Sequence, residues 1–210
     1  MSTRDTVRAV LDRYGTTYAE EAGIRLADTP APLWQLLVLT ELLSARIDAG
    51  IAVAAAAELR EAGHTTPERT RDTTWQERVD ALVRGRYTRY DERTATQLGD
   101  AADLVVERYG GDLRRLAREA DGDPREAARL LQEFPGIGAT GASVFLREAQ
   151  AVWPWLRPYL DDRVLDGARR AGLPSGAEEL RGLVGGDDLA RLAAGLVRIT
   201  LLRDDEDPLG

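Results

Sequence analysis

The chain has 210 residues, with 28 basic and 36 acidic side chains, a formal net charge of -8 and a pI near 4.9. That charge argues against a protein coated in nucleic acid, so any surface that meets a polyanion must be local. Every basic side chain is arginine, cysteine is absent and histidine occurs once, at His64. Lysine amine chemistry, disulfides, thiol nucleophiles, cysteine-held zinc, iron–sulfur clusters and multi-histidine metal centres are therefore excluded; a divalent cation held by carboxylates stays open, and no residue is singled out as a metal ligand.

The first fifteen residues, MSTRDTVRAVLDRYG, mix charged and apolar positions and do not form a secretory signal. Helical periodicity then predicts an all-α chain: Arg4 to Tyr14, Pro32 to Arg46, Ala49 to Ala62, Trp75 to Arg84, Asp91 to Tyr109, Leu113 to Ala120 and Pro124 to Phe134. The polar stretch from Thr65 to Thr74 reads as the one long loop. Asp123-Pro124 has the form of a helix start and Gly110-Gly111 of a helix stop. Further helices are expected at Thr140 to Val152, Asp162 to Ala171, Ala177 to Val184 and Asp188 to Arg203, followed by a solvated acidic tail. The longest apolar run, LWQLLVLTELL, is about half a membrane span and carries polar residues, so no membrane association is expected and a cytoplasmic protein is.

The segment FPGIGATGASVF, Phe134 to Phe145, places Pro135, Gly136, Ile137 and Gly138 between two helices. Gly136 and Gly138 carry no Cβ and tolerate positive φ. Such a turn aims backbone N–H groups outward at the start of the second helix, where the helix dipole also favours an anion. A phosphate fits there without a basic side chain. An isolated Gly-x-Gly also serves simply to let two helices pack closely.

Three stretches in register change that balance. Phe134-Pro135-Gly136-Ile137-Gly138 resembles the hairpin of the helix-hairpin-helix-GPD superfamily of DNA glycosylases. YLDDRVLDGARRAGL resembles that family's catalytic-aspartate segment, an apolar residue followed by Asp and then a helix ending in Arg-x-Gly-Leu. PLWQLLVLTELLSARID resembles its long apolar helix ending in Leu-Leu-Ser-Ala. The resemblance runs from about Pro30 to Arg203 and is to endonuclease III-like members.

The resemblance implies a two-lobed helical fold acting as a single unit over 1–210, with one lobe at about 30–139 and the other at 1–29 plus 140–210. It implies double-stranded DNA as partner, a nucleoid association when bound, and a monomer. Asp161 falls at the catalytic position, where a carboxylate stabilises positive charge on the sugar during N-glycosidic cleavage. Asp161 and Asp162 both also fit an N-cap. Glu41 matches a catalytic glutamate of the mismatch-adenine branch, able to protonate a departing purine; otherwise it must face solvent or find a buried partner. Arg46 falls where relatives place a residue that fills the gap left by a flipped base. Tyr87 and Tyr90 border the base pocket in relatives, and as aromatics they fit the core or its rim equally.

Two departures set the expected chemistry. Relatives that also cut the backbone carry a lysine two residues past the second hairpin glycine, where this chain has Thr140, a hairpin residue expected at the DNA together with Gly136, Ile137 and Gly138. Without cysteine, the family's iron–sulfur loop has no ligands. The resemblance thus implies a monofunctional DNA glycosylase of base excision repair that needs no cofactor, with room for a monovalent cation at the hairpin. The alternative is a DNA-binding protein of the same fold that has lost catalysis.

Overall fold

The computed structural model describes residues 2–203 and 205–209, and among these the chain is helix, turn and loop with no strand. The fold is all-α. In chain order the helices are α1 (Thr3–Tyr14), α2 (Tyr18–Glu21), α3 (Pro30–Ser44), α4 (Ala49–Glu61), α5 (Pro67–Arg71), α6 (Trp75–Arg84) and α7 (Asp91–Tyr109). They continue as α8 (Arg114–Glu119), α9 (Pro124–Leu131), α10 (Ala139–Ala149), α11 (Asp162–Arg170), α12 (Ala177–Arg181) and α13 (Leu189–Ile199), with short 3-10 turns at Pro154–Leu156 and Gly186–Asp188.

The chain forms two compact units, Ala19–Phe145 and Met1–Tyr18 together with Leu146–Gly210. In the first, α3 is apolar on every side, and Leu33, Trp34, Leu36, Leu37, Leu39 and Leu42 are all fully buried. A helix with no polar stripe is one enclosed by its neighbours, here with α4 packed along it. The α7 helix buries Leu98, Ala102, Val105 and Tyr109 on one face, at the spacing of a 3.6-residue repeat, and packs against α5 and α6. Arg78 of α6 ties these pieces together from inside: its Nε donates to the Ala95 carbonyl at 2.8 Å and one terminal nitrogen to the Thr73 carbonyl at 2.9 Å.

The second unit is built on α1, α11 and α13, with Val7, Val10, Val164, Ala168, Leu192 and Leu196 in its core. Gly167 permits the α11–α13 approach, since a Cβ there would stand 2.0 Å from the Leu196 carbonyl oxygen.

Several boundaries differ from the expected ones. The stretch from Thr65 to Thr74 contains a helix, α5, started by Pro67 and capped by the Thr66 hydroxyl on the Arg69 N–H. PERTR has no apolar period to reveal it. α3 stops at Ser44, two residues before Arg46, where Ala45 turns extended. α9 stops at Leu131 and α10 at Ala149, each followed by a tight turn rather than a further helical turn. Of the acidic tail at 204–210, residues 204 and 210 lie outside the described residues. Within the rest, Pro208 is buried and its carbonyl accepts a hydrogen bond from the Tyr14 hydroxyl at 3.1 Å, so the tail is not wholly solvated.

Among the described residues, no helix is long and apolar enough to cross a membrane.

Candidate functional site

The hairpin begins where α9 ends. Phe134 is 2 % exposed, and its ring lies 6.3 Å from that of Tyr109, which anchors the turn to the end of α7. Gly136 takes φ +80°, in the left-handed region, whereas Gly138 is absent from the positive-φ residues. Only the first of the two glycines is thus required for its backbone conformation. Ile137 is buried at 4 %, and its N–H donates to the Phe134 carbonyl at 3.2 Å. Neither its side chain nor its amide faces outward. The Ala142 N–H is bonded to the Gly138 carbonyl at 2.9 Å, whereas the amides of Gly136, Gly138 and the first turn of α10, which includes Thr140, have no backbone acceptor among the described residues and are the donors the hairpin can offer. Thr140 itself is exposed.

The two glycines therefore make opposite predictions. Gly136→Ala places a Cβ at a positive φ and 3.2 Å from the Gln97 amide atoms, and is expected to cost about 1–2 kcal/mol of stability. Gly138→Ala meets nothing within 4 Å and is expected to change stability by less than about 0.5 kcal/mol. Urea unfolding of both variants checks this, and equal losses would show that the turn does not have this conformation.

Beside the hairpin lies a cavity of 220 Å³, lined by Glu41, Arg46, Tyr87, Thr94, Gln97 and Gly136 among others. A cavity of about 150 Å³ takes a benzene ring, so this one has room for a small heterocycle. Glu41 reaches it from α3. It is 4 % exposed, because the helix that carries it is enclosed on all sides, and among the described residues its Oε1 has no hydrogen-bond partner. Burial holds its carboxyl well above the usual carboxylate range, and the negative charge of Asp100 adds to the effect. Such a carboxyl keeps its proton to higher pH than an exposed one, and while protonated it offers an O–H to whatever enters.

Tyr87 forms part of the wall at 1 % exposure, its hydroxyl accepting from the Thr94 hydroxyl at 3.3 Å. Tyr90 directly precedes α7, and the Arg89 guanidinium lies 5.2 Å from its ring centre. Arg46 sits in the loop after α3, exposed at the cavity. Arg93 and Gln97 were not singled out in the sequence. With Tyr90 and Thr94 they follow a spacing of three and four, one face of α7, and that spacing was the available signal.

Asp161 belongs to the other unit. It is the N-cap of α11: one carboxylate oxygen accepts from the Val164 N–H at 3.2 Å, and the other takes a 2.5 Å hydrogen bond from Arg147, itself 7 % exposed. Asp162, the other cap candidate, is the exposed first residue of the helix. The approach to Asp161 is pinned by Gln150, which is fully buried. Its amide donates to the carbonyls of Arg147 and Tyr159 at 3.0 Å and accepts from the Tyr159 N–H at 3.1 Å. Arg157 closes the same loop through the carbonyls of Gln150 and Ala151, both at 2.7 Å. Arg147 and Gln150 lie in no motif, and no sequence signal marks them.

No protein-family model matches this chain, and no curated protein does. The solved structures similar to it include two endonuclease III–DNA complexes. One is a trapped endonuclease III–DNA covalent intermediate in an estranged-adenine complex, at 17% identity, and the other a non-covalent endonuclease III–DNA complex, at 18%. Each has a TM-score of 0.49 and covers 94% of this chain and 85% of its own.

Proposed function

We propose that the protein is a monofunctional DNA glycosylase, which extrudes a damaged or mismatched base from double-stranded DNA and hydrolyses its N-glycosidic bond. The observation that carries this reading is Glu41: a buried, unpartnered carboxyl, held well above the usual carboxylate range, opening into a ring-sized cavity bordered by the hairpin glycine Gly136. An uncompensated carboxyl is costly in a core and is retained where it acts on a ligand. The three sequence stretches in family order support the same reading.

The cavity receives the base, and Glu41 supplies a proton to it as the bond from C1′ to the base nitrogen breaks and that bond's electrons leave with the base. Asp161, fixed by Arg147 and by the α11 N-terminus, supplies the negative charge that stabilises the sugar cation. Water adds to C1′ and releases a proton, leaving an abasic site and the free base. The first-turn amides of α10 hold a backbone phosphate, and Arg46 fills the gap in the duplex. No cofactor enters these steps, and without lysine no side-chain amine is present to cut the strand.

The test is a panel of duplexes, each with one lesion or mismatch. Product should appear only after hot alkali, and borohydride trapping of DNA on an internal side chain would overturn the monofunctional assignment.

A second reading, a DNA-binding protein that has lost catalysis, is favoured by the engagement of Asp161: both of its oxygens are already occupied, one of them by a cation. Duplex binding without base release from any panel member would select it.

A further inference from the structure

Gln97 stands where the hairpin and the cavity meet. A Cβ built on Gly136 would lie 3.2 Å from both Nε2 and Oε1 of Gln97 and 3.3 Å from its Cδ. Near-equal distances to three atoms of one plane mean that the carboxamide lies face-on against the glycine. Its hydrogen-bonding directions, which lie in the amide plane, are then not aimed at the glycine. Gln97 also lines the cavity that Glu41 opens into. No described residue hydrogen-bonds to its amide, although a glutamine has two donors and an acceptor to satisfy.

We propose that Gln97 is a specificity-determining residue of this cavity, its carboxamide reading the hydrogen-bonding edge of the heterocycle that enters. The inference rests on the reading of the cavity as a base site and adds the class of ligand it selects. A planar amide held flat presents an N–H donor and a C=O acceptor side by side, and its complement is a ring edge carrying an adjacent acceptor and donor. Nucleobases carry such an edge, and an apolar ring system of the same size does not. Glu41, buried at the same cavity and biased by that burial toward its protonated form, adds a second donor. A site whose polar groups are left unpaired by the wrong ligand rejects it far more strongly than an apolar pocket rejects a ligand of the wrong size.

Gly136 acquires a second role from this contact. A Cβ there would press on the amide and shift it by a few tenths of an ångström, so the turn that shapes the hairpin also leaves the space in which the amide lies.

The test uses the full chain and free ligands, so that it requires neither DNA nor turnover. Affinities for 9-methyladenine, 1-methyluracil and 1-methylindole are measured by saturation-transfer NMR; the methyl group stands where the sugar would attach, and 1-methylindole has neither donor nor acceptor. The wild type is expected to favour at least one of the two bases over 1-methylindole by about tenfold or more. Gln97→Met keeps the length and is expected to erase most of that preference while retaining 1-methylindole affinity. Gln97→Glu keeps the flat group over Gly136 but loses the donor, and is expected to reduce the preference as well, which covers a Met variant that fails to fold. Unchanged ratios in the folded variants, or a wild type that binds 1-methylindole as well as either base or binds none of the three, would overturn the proposal. Edge discrimination that depends on Gln97 in a protein releasing no base from any duplex would uphold it and sink the glycosylase reading. Base release with discrimination indifferent to Gln97 would do the reverse.

Discussion

Asp161→Asn is expected to lower base release from any active duplex by about a hundredfold or more, about 2.7 kcal/mol of transition-state stabilisation. The substitution keeps the cap, because the asparagine oxygen still accepts from the Val164 N–H. It does not leave the rest of the site unchanged. Arg147 is 7 % exposed and loses its carboxylate partner, so a stability loss of about 2 kcal/mol is expected alongside the catalytic one. Arg147→Met separates the two effects: it removes the cation and its need for a partner while leaving Asp161 its charge and its cap. Single-turnover rates at a temperature where all three proteins are folded give the comparison. Equal rates for wild type and Asp161→Asn would remove Asp161 from the chemistry and leave it as a helix cap with an ion pair. Asp162→Asn is expected to change little, since Asp162 is exposed and caps nothing.

Glu41→Gln is expected to make the protein more stable at neutral pH and a poorer catalyst. The folded state holds this carboxyl well above its ordinary range, while the unfolded chain ionises it near the model-peptide value of about 4.3. Between those two values unfolding releases a proton, so rising pH favours the unfolded state, by up to about 1.4 kcal/mol per pH unit for this one group. The contribution of Glu41 to stability is therefore fully present below about pH 4.3 and is lost as pH rises toward the folded-state value. Glutamine has no proton to lose. The difference between variant and wild type should be small in acid and widen in favour of the variant toward pH 8, as read from urea midpoints at several pH values. Parallel curves would mean that Glu41 is not held neutral. The same substitution removes the proton offered to the departing base, and about a ten- to hundredfold slower release is expected. A variant gaining stability while losing activity would identify Glu41 as a group kept for function at the expense of the fold.

Much of the fold was legible in the sequence because its signals are local. Asp91 to Tyr109 was read to the residue, since an apolar stripe and a glycine stop are both contained within the segment. The hairpin was legible for the same reason, Pro135 and Gly136 being turn residues whatever surrounds them. α5 was not, because a proline and four polar residues show no apolar periodicity, and it is held instead by Thr66 at its start and by contact with α7. Ile137 shows the limit within a motif: its position in the hairpin was recognisable, but the burial of its side chain and the internal use of its amide follow from packing.

By itself the sequence determined that the chain is helical, that it turns tightly at Pro135–Gly136, and that it has no lysine amine, thiol or multi-histidine chemistry. Those follow from residue types and short-range spacing, which need no knowledge of neighbours. Only the tertiary structure decided that Glu41 is buried, unpartnered and held well above the usual carboxylate range, that the cap of α11 is Asp161 rather than Asp162, and that the Gln97 amide lies flat on Gly136. Each of these depends on what surrounds a polar group in space. Burial sets the cost of its charge, and contacts between segments distant in the chain set its partners.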